Sequence, residues 1–132
     1  MAIKMIAVDM DGTFLDENSS YKQKRFDHIY QILKDRDIRF VVASGNPYKK
    51  LQNCFPHIQN ELTYIAENGG YIISEGKGLY FANISSQDSQ LIIDTLQTMH
   101  DVLCWVCTRN QSYTLDSLPE NYYQIFHPYF PH

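Results

Sequence analysis

Short apolar runs alternate with stretches whose apolar residues recur every three or four positions, and this alternation organises the first half of the chain. Ile3 to Val8 is an apolar run that predicts a buried strand. Ser20, with Gln23 three residues on, has the form of a capping box and opens a helix reaching about Arg36. Phe26, Ile29, Tyr30 and Leu33 give that helix one apolar face. Ile38 to Ala43 predicts a second strand, closed by Ser44-Gly45-Asn46. Pro47 then stands where a first helical residue is favoured, and Leu51, Cys54, Phe55 and Ile58 form the inward stripe of a second helix. Thr63 to Ala66 predicts a third strand, closed by Glu67-Asn68-Gly69-Gly70. The order β-α-β-α-β predicts a parallel sheet with right-handed crossovers, an α/β fold.

Beyond Gly70 the rhythm changes. Tyr71 to Ser74 and Leu79 to Ala82 predict two strands of a hairpin around Glu75-Gly76-Lys77-Gly78. A second unit is expected from Ser85, with a helix over Asp88 to His100 carrying Ile92, Leu96 and Met99 on one face. Val102 to Arg109 and Ser112 to Asp116 predict a further hairpin turning at Asn110-Gln111, and Pro119 opens a last helix. The expected division is residues 1–84 and 85–132.

Composition narrows the class. The chain has 132 residues, 44% hydrophobic and 20% charged, which suits a folded domain with its own core rather than a disordered segment. A net charge of −4, with no clustered lysine or arginine, argues against a nucleic-acid partner. The first apolar run is too short for a membrane span and is interrupted by Asp9, so no membrane association and a cytoplasmic location are expected. The cysteines Cys54, Cys104 and Cys107 are three, which fits a reducing compartment better than a disulfide framework. Cys104 and Cys107 have C-x-x-C spacing, but on a strand positions three apart face opposite ways, and no second pair completes a metal site.

The chemistry gathers after the first strand. Asp9-Met10-Asp11-Gly12-Thr13 puts two carboxylates past a strand end, where an open α/β sheet presents its site. Asp9 and Asp11 are two apart, so on extended backbone they point the same way and can converge on one group. Paired acids suit a division of labour, one attacking while ionised and the other moving a proton. Turn formation or helix capping is the competing account of these aspartates. A turn residue is the competing account of Ser44, and a simple N-cap before Pro47 that of Asn46. Asp16 and Glu17 read as solvated loop acids, and Glu67 to Gly70 as structural.

Asp9-x-Asp11-Gly12-Thr13, Val41-Val42-Ala43-Ser44-Gly45-Asn46 and Ala66-Glu67-Asn68-Gly69 together resemble the haloacid dehalogenase superfamily of phosphatases. More narrowly the chain is similar to the Cof-type members, subfamily IIB, that act on sugar phosphates. The resemblance implies a Rossmann-like core made of a partial parallel sheet plus hairpin, followed by the start of an α/β cap of the C2 type. It implies a small phosphorylated metabolite as substrate and Mg²⁺ as cofactor. By that resemblance Asp9 is the nucleophile and Asp11 the general acid and base, and the same two residues hold the metal, Asp11 through its backbone carbonyl. Ser44, Gly45 and Asn46, with the amides of Gly12 and Thr13, are implied to bind the phosphoryl oxygens. A non-catalytic phospho-ligand or protein-interaction module is the alternative.

The resemblance runs to the first part of such a protein only. The family's later lysine and late acidic residues are not in this sequence, and Lys49 and Lys50 lie on the wrong segment to replace that lysine by motif. A shortened chain is therefore expected, with an apolar first strand left open-edged. Tyr122, Tyr123, Phe126, Tyr129 and Phe130 are expected to await a partner surface, from the absent half or through self-association.

Overall fold

Strand β1 (Met5–Val8) pairs in parallel with β2 (Arg39–Ala43), and β2 in parallel with β3 (Thr63–Ala66), in the computed structural model of the chain. The structure describes residues 2–99, 102–109, 111–114 and 122. Helix α1 (Gln23–Asp35) connects the first two strands and α2 (Tyr48–Asn53) the next two. The sheet continues antiparallel through β4 (Tyr71–Ser74) and β5 (Lys77–Phe81), giving the spatial order β1-β2-β3-β4-β5. This is a mixed α/β sheet, parallel where helices intervene and antiparallel where a tight turn does.

The chain divides into two compact units, Met1–Phe81 and Ala82–His132. In the first, register puts Val8, Val42, Tyr64 and Ile73 side by side across one sheet face. Val42, Tyr64 and Ile73 are buried there with Met10, Leu51, Phe55 and Leu62. An aromatic cluster fills the space over β2: the ring of Phe14 lies 4.9 Å from Tyr21, 5.1 Å from Phe26, 5.8 Å from Phe40 and 5.7 Å from Phe55. Each such pair adds about 0.5–1.5 kcal/mol beyond the area it buries. Tyr64 is the odd member of this core. Its hydroxyl is buried without a partner among the described residues, and burial pushes its ionisation far above the usual phenol value.

Several local expectations are corrected. The first strand is not buried: Met5, Ile6 and Ala7 are exposed, because among the described residues β1 is an edge with β2 on one side only. Ser20 does not cap α1, which begins at Gln23 after Lys22 with no side-chain cap. The Ser20 hydroxyl instead lies 3.0 Å from a carboxylate oxygen of Asp16, whose charge makes it the stronger acceptor. Ile29 stays exposed while Phe26, Tyr30 and Leu33 are buried, a stripe narrower than the periodicity suggested. Pro47 precedes α2 with extended ψ rather than beginning it, and Asn46 does not cap that helix. The hairpin turn is Glu75-Gly76 alone, both at positive φ (51° and 72°), so β5 starts at Lys77, two residues before the expected strand. Positive φ at both central positions matches the twist of the flanking strands.

In the second unit α3 (Ser86–Gln97) starts earlier than expected, because Ser85 caps it by accepting from the Asp88 amide at 3.0 Å. Ile92 and Leu96 lie four apart in α3, but the helix ends at Gln97 and not at His100, so Met99 falls beyond it, and α3 has no buried residue among those described. Strands β6 (Trp105–Cys107) and β7 (Ser112–Thr114) pair antiparallel, and Thr108 and Gln111 close their turn. Cys104 is half-buried beside β6 and Cys107 exposed on it, both as free thiols. The expected helix at Pro119 and the residues Tyr123, Phe126, Tyr129 and Phe130 lie outside the described residues, whereas Tyr122 is exposed.

Candidate active site

The loop after β1 is held by what it buries. Met10 is fully buried, so the side chains before and after it, Asp9 and Asp11, emerge together at the surface. The chain then turns tightly around the Met10 carbonyl, which accepts from the amides of Leu15 at 2.9 Å, Phe14 at 3.1 Å and Thr13 at 3.3 Å. Gly12 sits at φ +71° with open space where a side chain would go, so backbone strain and not crowding favours glycine. Phe14 and Leu15 then enter the aromatic core and pin the far side of the turn. Of the expected phosphate cradle, the Thr13 amide is thus already engaged, while Thr13 Oγ1 donates to Asp9 Oδ2 at 3.2 Å.

Asp16, expected as a solvated acid, organises the next segment. Its carboxylate accepts from the Ser20 amide at 3.0 Å, the Ser20 hydroxyl at 3.0 Å and the Asn18 amide at 2.9 Å. These bonds, the Ser20 amide foremost, hold its carboxyl below the usual carboxylate value. Tyr21 closes the segment by donating its hydroxyl to the Cys54 carbonyl at 3.0 Å.

The second loop of the site follows β2. The Ser44 amide extends the ladder by donating to the Ile65 carbonyl at 2.9 Å, and Ser44 Oγ accepts from the Asn46 amide at 3.1 Å. A hydroxyl that accepts in this way keeps its own hydrogen to donate. The loop after β3 braces it from the side: the Asn68 amide donates to the Ser44 carbonyl at 3.3 Å and the Glu67 amide to the Asn46 carbonyl at 3.2 Å. A Cβ on Gly45 would come within 2.9 Å of Asn68 Oδ1, so the two loops meet where only glycine leaves room without moving Asn68. Glu67 and Asn68 both take positive φ, 52° and 54°. Asparagine tolerates this readily, whereas for glutamate it is strain of the kind found at functional sites. Burial also pushes the Glu67 carboxyl above its usual value.

The two loops are joined by one side chain. Asn46 Nδ2 donates to Asp11 Oδ2, and Asn46 Oδ1 accepts from Lys50 Nζ at 3.1 Å. Asp9 and Thr13, and separately Asp11 and Asn46, are brought together, whereas Ser44 and Gly45 are fixed to the β3 side by their neighbours' amides and side chains. The surface depression of about 230 Å³ bordered by Leu15, Ser20, Gln23, Asn53 and Pro56 contains neither acid. Sequence reasoning missed Met10, Phe14 and Leu15 as anchors, although the out-in-out order of Asp9-Met10-Asp11 was available as a signal.

The exposed Asp9 carboxylate and the Asp11 backbone carbonyl that the family resemblance implies are hard oxygen donors, the type Mg²⁺ takes, commonly one or two from protein with water and substrate oxygens completing the shell. Among the described residues no group of three or more histidine, cysteine or acidic side chains could hold a metal ion. Asp9 and Asp11 therefore fit that ion as a partial ligand set. No helix among the described residues is long and apolar enough to cross a membrane.

Comparison with known proteins identifies relatives of the chain. The chain is 46% identical over 115 residues to 5-amino-6-(5-phospho-D-ribitylamino)uracil phosphatase YbjI of Escherichia coli K12, covering 87% of this chain and 42% of that one. The structure of SMU.1108c from Streptococcus mutans UA159 superposes with a TM-score of 0.90 at 37% identity, over 98% of this chain and 49% of that one. The sugar phosphatase BT4131, described as of HAD subclass IIB, shares the fold at a TM-score of 0.72 and 18% identity, over 96% of this chain and 48% of its own. The chain thus spans about half the length of these relatives. Residues 6–131 match the model of the haloacid dehalogenase-like hydrolases, and the chain belongs to that family.

Proposed function

We propose that this chain carries the nucleophile half of a phosphatase that hydrolyses small phosphorylated metabolites, sugar phosphates above all. The observation that supports the reading best is the contact between Asp11 and Asn46, which ties the acid pair at the end of β1 to the loop at the end of β2. The similarity to YbjI, named for a phosphorylated ribitylamino pyrimidine, supports the substrate class.

In this reading Asp9 attacks phosphorus and forms an aspartyl-phosphate while the ester oxygen leaves with a proton from Asp11. Asp11 then takes a proton from water, whose oxygen attacks phosphorus and frees Asp9, so that alcohol and inorganic phosphate are the products. Ser44 Oγ, with its hydrogen left to donate, and the Gly45 amide face the phosphoryl oxygens; Asn46 and Gly12 contribute from either side. Asp9 and Asp11 would hold Mg²⁺, which when bound would supply neutralisation of the charge between carboxylate and phosphate. The three free cysteines go with a cytoplasmic protein. The open edge of β1 is the place where the other half of the protein or a second copy pairs.

Phosphate release from a panel of phosphorylated metabolites with Mg²⁺ tests the proposal. Asp9→Asn is expected to lower the rate by on the order of 10³-fold or more, as loss of a nucleophile does. Equal release from both proteins removes the enzyme reading and leaves the non-catalytic phospho-ligand or interaction module.

A further inference from the structure

We propose that Lys50 is a positioning residue for Asp11, acting through the side-chain amide of Asn46, and that this relay fixes which oxygen of Asp11 is engaged and which is left to the reaction. The inference rests on the reading of Asp11 as acid and base. Lys50 lies in α2, four residues after Asn46, so that its ammonium reaches back to the loop that precedes the helix. An ammonium has only donors and an ionised carboxylate only acceptors. With Lys50 Nζ at 3.1 Å from Asn46 Oδ1, the opposite end of the amide, its NH₂, must face Asp11, and it does. The reverse amide orientation would set donor against donor at Lys50 and acceptor against acceptor at Asp11. Positive charge on the carbonyl end also polarises the amide and strengthens its N–H as a donor.

The consequence falls on Asp11. Its Oδ2 accepts from Asn46, so a proton placed on that oxygen would oppose an N–H already pointing there. Oδ1 is therefore the oxygen left to handle the proton in the reaction. That atom gives it to the departing ester oxygen, breaking the Oδ1–H bond as the new O–H forms, and later recovers one from the attacking water. Lys50 thus supplies orientation to this reaction from a segment where no motif would place it.

The side-chain amide signals of Asn46 in a ¹H–¹⁵N spectrum test the relay without turnover; Asn46→Ser identifies them by their disappearance. In the unaltered chain the pair is expected away from the free-amide position. Lys50→Met moves it toward that position while the backbone spectrum stays dispersed, and Lys50→Arg keeps it displaced. An Asn46 pair unchanged in Lys50→Met overturns the inference. In the phosphate-release assay, Lys50→Met is expected to lower kcat about tenfold with KM within about twofold, and Lys50→Arg to recover most of the loss, as an orienting residue acting only on the chemical step requires. Unchanged kcat, or a raised KM at constant kcat, also overturns it. If Asp9→Asn and the unaltered chain release phosphate equally, the phosphatase reading falls and the amide spectrum alone decides whether Lys50 holds Asn46 on Asp11.

Discussion

β1 and β2 are adjacent parallel strands of similar apolar composition, and each feeds one loop of the site, yet their surroundings are opposite. Phe40, Val41 and Val42 of β2 are buried, with a strand on either side, while Met5, Ile6 and Ala7 of β1 are exposed on an edge. An apolar strand alone therefore does not fix the loop that follows it. The S-G-N loop is held by its strand and by the neighbouring E-N-G loop. The D-x-D-G-T loop is held by the residues inside and after it, Met10, Phe14 and Leu15.

The largest test of this contrast exchanges an apolar residue for a charge on each strand. Val42→Asp places an unpaired carboxylate in a fully buried position and is expected to cost about 4 kcal/mol or more, enough to unfold the unit, whereas Ile6→Lys is expected to stay within about 1 kcal/mol. Urea denaturation followed by circular dichroism reads both. A comparable loss from Ile6→Lys would mean that β1 is covered in solution, and sedimentation would show by what. Next in size, Phe14→Ala removes a ring packed against Tyr21, Phe26, Phe40 and Phe55 and is expected to cost about 3 kcal/mol in the same titration. A loss below about 1 kcal/mol would show the acid loop to be anchored elsewhere.

Tyr64→Phe sharpens the comparison from the buried side. It deletes a hydroxyl buried without a partner among the described residues, and is expected to raise stability by about 1 kcal/mol, seen as a higher urea midpoint. A drop would reveal a hydrogen bond to that oxygen. The smallest effects concern pH, and they have opposite signs in the segment after β1 and the loop after β3. Asp16 has a lowered carboxyl value in the folded chain, so its contribution is complete above its ordinary value of 3.8 and is lost as pH falls through the lowered one. Glu67 has a raised value, so its favourable contribution holds below its ordinary value of 4.5 and is lost as pH rises through the raised one. Asp16→Asn should flatten the acid side of the stability profile and Glu67→Gln the rise-of-pH side; no change from either variant would remove that account.

Much of this was legible in the sequence because period and punctuation agree there. The alternation of apolar runs with helical stripes gives the β-α-β-α-β order, and three strand ends each carry small polar residues where an α/β sheet places its chemistry. What was not legible depends on competition between groups distant in the chain or equal in type. Ser20 looked like a cap because the pattern matches, but Asp16 is a better acceptor for its hydroxyl. Ile3 to Val8 looked buried because it is apolar, but burial depends on a second neighbour that local sequence does not describe. Lys50 matched no motif, and only the fold shows that its ammonium reaches Asn46.

The strand order has a consequence for how the sheet is built. Because β1 to β5 lie in space as they lie in the chain, each strand docks on the one made just before it, with no need to wait for a distant segment to close a gap. The sheet's two parallel pairings still have to close across the helices between the strands, the slower kind of contact to form, whereas the hairpin of β4 and β5 is local. The pairing of β1 with β2 that aligns the two reactive loops therefore needs no strand that lies later in the chain.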